Sequence, residues 1–252
     1  MTNAVATESV GPDAPVVTPR RGRAVAVALG LVVVGFLAGT LLGAVPLVVE
    51  LLLTGEILAS PVYLLASVVV TMLAYAAVAL VYARGRLVIP ARTPTLREVG
   101  IAGGAVLAML AVNIGGQFVV GLFGLEAAPS SVADIAVGAP VFLLALAAVA
   151  LLLNGPAEEL LFRGAVQGRL RRAFGPVGAV IGASLPFAAI HFFAVVGTVG
   201  AGLVSVAIIA LVAVVLGAIY EYTDNIVVPA LAHGVYNAVL FVAAYLAVVG
   251  AF

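Results

Sequence analysis

The 252-residue chain contains no cysteine, no lysine and no tryptophan, and charge of either sign is scarce. Without cysteine the chain has no disulfide, no zinc–thiolate site and no thiol nucleophile. Without tryptophan, any aromatic belt at a membrane interface is built from tyrosine and phenylalanine. Eleven arginines balance eleven acidic residues, a neutral balance that gives no indication of a nucleic-acid partner.

Apolar residues dominate the composition. The chain is 65% hydrophobic and 9% charged, with a mean hydropathy of +1.32, whereas a soluble domain is about half apolar and a quarter charged. A spanning helix needs about 20 mainly apolar residues, and backbone groups in lipid must be satisfied within their own segment. We therefore predict an all-α, polytopic transmembrane helical bundle of about seven to eight spans. The seven candidates are 24–49, 61–83, 100–124, 140–161, 176–196, 201–220 and 226–250.

The arginines alternate between loops in a way that predicts orientation. They precede the first span and lie between the second and third and between the fourth and fifth spans, at Arg20, Arg21, Arg23, Arg84, Arg86, Arg92, Arg97, Arg169, Arg171 and Arg172. The intervening loops carry only acidic charges, at Glu50, Glu56, Glu126 and Asp134. Because arginine-rich loops stay in the cytoplasm, we expect an integral protein of the cell membrane with a cytoplasmic amino terminus.

Ionisable residues inside spans are costly, and those of this chain are few. The first group is Glu158, Glu159 and Arg163, which follows a Gly155-Pro156 pair that should kink or restart the fourth helix. Glu159 and Arg163 are four residues apart and share a helix face, so the arginine is better placed to neutralise Glu159 than Glu158. The alternative is an interfacial Glu–Arg pair that only holds a helix end.

Both histidines of the chain also lie in apolar spans. His191 is in the fifth span, and His233 stands four residues before Asn237 in the last. Each alone is compatible with hydrogen-bonded packing. If the fourth and fifth helices form a hairpin near residues 172–176, Glu158 and His191 lie at matching depth, whereas counting places His233 shallower. We expect these side chains to meet in one pocket.

Together these residues resemble the CAAX protease and bacteriocin-processing (CPBP, or Abi) family, whose pattern is E-E-x-x-x-R, F-x-x-x-H and H-x-x-x-N in that order. The matching positions are Glu158, Glu159, Arg163, Phe187, His191, His233 and Asn237. The resemblance covers about residues 140–250. It implies an intramembrane endopeptidase that hydrolyses a peptide bond in a membrane-associated protein or peptide.

The resemblance also implies catalytic roles for six of these residues. Glu158 would activate water, with His191 helping to hold that water. Glu159 and Arg163 would orient the first motif. His233 and Asn237 would polarise the scissile carbonyl or stabilise the oxyanion.

The resemblance leaves the cofactor open. The conventional metalloprotease description implies zinc or another divalent metal held by Glu158, His191 and His233. A metal-free glutamate–histidine mechanism is equally compatible with the residues.

The resulting domain organisation has three parts: a disordered cytoplasmic tail at 1–23, amino-terminal transmembrane helices at 24–139 and a CAAX-protease-like catalytic core at 140–252. Two other functions are compatible with buried polar groups. One is a non-enzymatic membrane interaction or immunity protein that keeps them for packing. The other is a proton-coupled transporter that uses them as a relay, although no paired broken helices in two related halves support it.

Overall fold

A computed structural model describes residues 21–128 and 139–250 of the chain. Of the predicted disordered tail, residues 1–20 lie outside the described part. Arg21, Gly22 and Arg23 are already the first residues of a helix. The tail boundary predicted at residue 23 is therefore three residues too late.

The described residues form helices and contain no strand, which confirms the all-α fold. The α-helices are α1 (Arg21–Thr54), α2 (Pro61–Ala83), α3 (Leu96–Gly121), α4 (Val141–Val149), α5 (Gly155–Glu159), α6 (Gly168–Ile190), α7 (Val199–Thr223) and α8 (Val227–Val248). Large apolar side chains are exposed along their outer surfaces, as at Leu41 and Leu52. Such surface is compatible with lipid and not with water.

Two π-helical segments flank α5, the first at Ala150–Asn154 and the second at Leu160–Gln167. In the first, the N–H of Gly155 donates to the carbonyl of Ala150, five residues back. Pro156 follows and has no N–H to continue the ladder. The predicted kink thus takes the form of a widened helical turn, a feature often found at functional sites.

Six helices of the described part are long and apolar enough to cross a membrane, so the predicted count of seven to eight is slightly off. The difference arises because the fourth and fifth predicted spans lie in one continuous helical stretch, Val141–Ala194. This stretch reverses its direction at Gly175, where φ is 71°. The rings of Phe162 and Phe187 meet at 4.9 Å across this reversal, although a straight helix would separate these residues by roughly 37 Å. The predicted hairpin is confirmed.

The arginine-bearing segments meet at one end of the bundle, which we name the arginine face. The backbone N–H of Ile226 donates to the carbonyl of Pro90 at 2.8 Å, and Arg171 pairs with Glu221 at 2.5 Å. These bonds join the segment 84–95, the hairpin turn and the α7–α8 junction. Arg92 also donates to both carboxylate oxygens of Glu98, and this raises the pKa of Arg92 above its usual value.

The close approach of α5 to α8 positions the polar residues. A Cβ added at Gly155 would lie 2.6 Å from the carbonyl oxygen of Ala230, and one at Gly234 would lie 2.9 Å from the Cα of Leu151. Only glycine lets the two backbones touch at these points. This crossing brings the last helix against the Glu158-Glu159 pair.

Candidate active site

Glu159 and Arg163 form a fully buried ion pair. The arginine Nε lies 3.0 Å from Glu159 Oε2, and both side chains are 0% exposed. Arg163 Nη2 donates to the carbonyl of Ala213 in α7 at 3.1 Å, so the guanidinium is held from a second helix. The spacing argument that assigned Arg163 to Glu159 agrees with this geometry.

His233 lies between the two carboxylates. Its Nδ1 is 2.9 Å from Glu159 Oε1, and its Nε2 is 3.7 Å from Glu158 Oε2. Counting along the chain places His233 shallower than the glutamates, but the crossing at Gly155 and Gly234 brings it to their level. Because Glu159 is an acceptor, Nδ1 carries a proton and donates it.

Asn154 connects the first and third motifs. Its Nδ2 donates to Glu158 Oε1 at 3.0 Å, and its Oδ1 accepts from Asn237 Nδ2 at 3.0 Å. Sequence reasoning confined to ionisable residues missed Asn154. Its signal was a polar side chain directly after the apolar run Leu151–Leu153.

His191 begins the 3₁₀ turn that ends the fifth span. Its Nδ1 is 2.7 Å from the carbonyl oxygen of Phe187 and can only donate to it, so the Nε2 of the neutral ring is left as an acceptor. The Phe187 ring lies 4.6 Å from the His191 ring and 5.8 Å from the His233 ring. Phe187 therefore packs against both imidazoles.

A cavity of about 620 Å³ adjoins this cluster. Among the predicted site residues, those that line it are Glu158, His191, His233 and Asn237. Glu159 and Arg163 lie behind this wall: Glu159 contacts His233 and Arg163 lies against the Phe187 ring, and both His233 and Phe187 line the cavity. The structure thus brings four of the six residues to one surface and places the other two as their support.

Glu158, His191 and His233 are the predicted metal ligands, and the donor types suit zinc. Within the described residues, however, no three histidine or carboxylate side chains are grouped closely enough to hold a metal ion. His233 donates its Nδ1–H to Glu159, so its Nε2 is the ring nitrogen that faces Glu158. This geometry does not fit a metal, and a bound metal stays a prediction.

The fold and the site define a polytopic helical membrane protein with a glutamate–histidine cluster buried among its spans. Residues 140–239 match the family model described as type II CAAX prenyl endopeptidase Rce1-like. This match confirms, over those residues, the resemblance seen in the sequence. The matched family indicates an intramembrane protease, and so a hydrolase. No curated protein and no solved structure matches the chain.

Proposed function

We propose that this protein hydrolyses a peptide bond of a membrane-associated protein or peptide, with Glu158 as the base that activates water. One observation carries the proposal: Glu158 Oε2 and His233 Nε2 lie 3.7 Å apart in the wall of a 620 Å³ cavity. Oε1 of Glu158 is engaged by Asn154, which leaves Oε2 to accept a proton. The CAAX prenyl substrates named in the family's description are one subset of this class.

The charge of the cluster supports a role for His233 as a hydrogen-bond donor to the oxyanion. Glu158, Glu159 and Arg163 are buried and together carry one net negative charge, which is costly away from water. A second proton on His233 makes the cluster neutral. With Nδ1 held by Glu159, that proton lies on Nε2, where it can be donated to an oxyanion.

The reaction then follows from these positions. Water takes a place against Glu158 Oε2, and the acceptor Nε2 of His191 helps to orient it. Its oxygen attacks the scissile carbonyl carbon while Glu158 accepts its proton. His233 and the remaining N–H of the Asn237 amide stabilise the oxyanion. The C–N bond breaks as Glu158 returns the proton to the leaving nitrogen, giving a carboxylic acid and an amine. The proton of the acid then passes to the amine, which leaves a carboxylate and an ammonium group.

The decisive variant is Glu158→Gln, which keeps the shape of the side chain and removes its basicity. With the protein reconstituted in liposomes and a library of internally quenched neutral peptides as probe, the cleavage rate should fall about a hundred- to ten-thousand-fold or more. Glu56→Gln changes an exposed glutamate of the α1–α2 loop and should leave the rate unchanged.

Cleavage by Glu158→Gln at the wild-type rate would refute the role of Glu158. A wild-type protein that cleaves no peptide in the library would refute the proposal as a whole. A parallel sample treated with a chelator tests the metal prediction, since activity that is lost and then restored by zinc would require a metal ligand set.

A further inference from the structure

A second cavity, of about 250 Å³, lies on the arginine face. Three segments of the chain contribute to its wall: the connection at 87–90, the helical stretch 164–172 and the end of α7 at 220–224. It shares no lining residue with the catalytic cavity. The proposed hydrolysis makes no use of this second cavity, which we name the arginine-face cavity.

The ends of several spans surround the arginine-face cavity. α2 ends at Ala83, the hairpin reverses at Gly175 and α7 ends at Thr223. Lining residues stand close to each of these three points in the chain. In a bilayer the polar headgroups border the hydrocarbon core, at the level where spanning helices end. The cavity therefore lies at the depth of the phospholipid headgroups.

One acidic side chain of this wall, Glu221, is already engaged by the protein. Arg171 Nε lies 2.5 Å from Oε2 of Glu221, and Gln167 Nε2 donates to Oε1 of the same carboxylate at 3.0 Å. Gln167 is 0% exposed and also donates to the carbonyl of Gly217 at 3.1 Å, which holds the arrangement from inside the bundle. The charges of Arg171 and Glu221 therefore offset each other.

The other charged side chains of the wall are Arg172 and Asp224, one of each sign and both exposed. No described carboxylate lies within 4 Å of the Arg172 guanidinium, and no described cationic group lies within 4 Å of the Asp224 carboxylate. The charge of Asp224 acts on Arg92, but that guanidinium already donates to both oxygens of Glu98. The wall is thus neutral as a whole and offers one cation and one anion to a ligand.

Apolar groups border these charges. Leu87 lines the cavity, and so does Val88, whose side chain is 89% exposed. Gly164 and Gly168 contribute no side chain, and a Cβ at Gly164 would lie 2.7 Å from Cδ1 of Ile89. A wall with both charges next to exposed apolar groups suits an amphiphile, because the apolar part of such a ligand is removed from water with them. A lipid fits this wall better than a free phosphate compound.

We propose that the arginine-face cavity binds the headgroup of a zwitterionic phospholipid that carries a primary ammonium, of the phosphatidylethanolamine type. Arg172 binds the phosphate, since the guanidinium fork matches phosphate oxygens, and Asp224 accepts hydrogen bonds from the ammonium. A phosphatidylcholine headgroup has no N–H for Asp224, and an anionic headgroup would bring no cation to it. The inference does not rest on the proposed function, because neither residue takes part in the hydrolysis.

Thermal unfolding of the purified full chain in detergent tests the site, because a ligand that binds the folded state raises the unfolding temperature. Titration with phosphatidylethanolamine should give a saturable rise. Phosphatidylcholine and phosphatidylglycerol with the same acyl chains should bind at least about tenfold more weakly. Arg172→Gln and Asp224→Asn should each weaken phosphatidylethanolamine binding by at least about tenfold. Asparagine tolerates the φ of 45° at Asp224, so that variant removes the charge without straining the backbone.

Arg84→Gln is the matched control, since it removes an exposed arginine of the same face that does not line the cavity, and it should titrate like the wild type. Each variant is compared with its own lipid-free sample, so a lower basal stability does not imitate lost binding. Phosphatidylcholine or phosphatidylglycerol that binds as tightly as phosphatidylethanolamine would overturn the inference, as would cavity variants that titrate like Arg84→Gln. An equal rise with free phosphoethanolamine would assign a soluble ligand and overturn the lipid. No cleavage is measured, so these results leave the proposed function untouched.

Discussion

Glu158 and Glu159 are adjacent in sequence, yet their surroundings differ in a way that separates their roles. Glu159 has a guanidinium on one oxygen and an imidazole N–H on the other, and it is 0% exposed. Glu158 has one neutral amide donor and lines the cavity. Neighbouring carboxylates with contrasting environments are a common basis for assigning one group to chemistry and the other to support.

Asn154 is predicted to position Glu158. Asn154→Ala removes the donor to Glu158 and the acceptor for Asn237, and losing a hydrogen bond to a charged group costs about 1.5–3 kcal/mol. In the liposome assay kcat should therefore fall roughly ten- to a hundredfold with little change in KM. Asn154→Asp, which removes the same donor and adds a like charge, should be at least as harmful. An Asp variant with wild-type kcat would contradict this role.

The charged residues of the site could be predicted from the sequence better than the neutral residue Asn154. The spacing of Glu159 and Arg163 leads directly to their ion pair, since residues four apart share a helix face. Asn154 stands four residues before Glu158 and shares its helix face. Because a neutral amide in an apolar span costs less than a charge, however, Asn154 does not stand out in the sequence. The depth of His233 in the membrane depends on how α5 and α8 cross. Counting residues along one helix gives no information about that crossing.

At the scale of the element, the helix that carries the glutamates is not a regular α-helix. The π-helical segments on both sides of α5 change the direction of successive side chains, so the period of 3.6 residues fails locally. The apolar spans were predictable from length and hydropathy, and the hairpin from Gly175-Pro176. A widened turn leaves no comparable pattern, although Pro156 marks its place.

The crossing of α5 and α8 is the element-scale feature that the site needs most. Gly155→Ala would place a Cβ against the carbonyl of Ala230 and force the helices apart, at a cost of about 1–3 kcal/mol. We expect a lower unfolding temperature in detergent and a loss of cleavage, because His233 moves away from both glutamates. Gly103→Ala is the matched control, with no neighbour within 4 Å and a gain in helix propensity. Equal stability and activity of the two variants would contradict the crossing.

At the scale of the molecule, an apolar bundle surrounds a small polar interior. This interior has two parts, one on the side of the arginine face and one on the side of the cavity. Towards the arginine face, Arg163 and Gln167 bond to successive turns of α7 and close the bundle. Away from it, the cavity brings Glu158, His191 and His233 to a common wall. The first part supports the site, and the second is where the proposed reaction would bring water and substrate together.

The proposed function requires Glu158 to activate water as a base and not to attack the substrate itself. The most direct measurement is a cleavage reaction in heavy-oxygen water, followed by mass spectrometry of both the product and the protein. If Glu158 activates water, the new carboxyl terminus of the product carries the label and the Glu158 carboxylate carries none. Label in the Glu158 side chain would show a covalent acyl intermediate and would refute its role as a base.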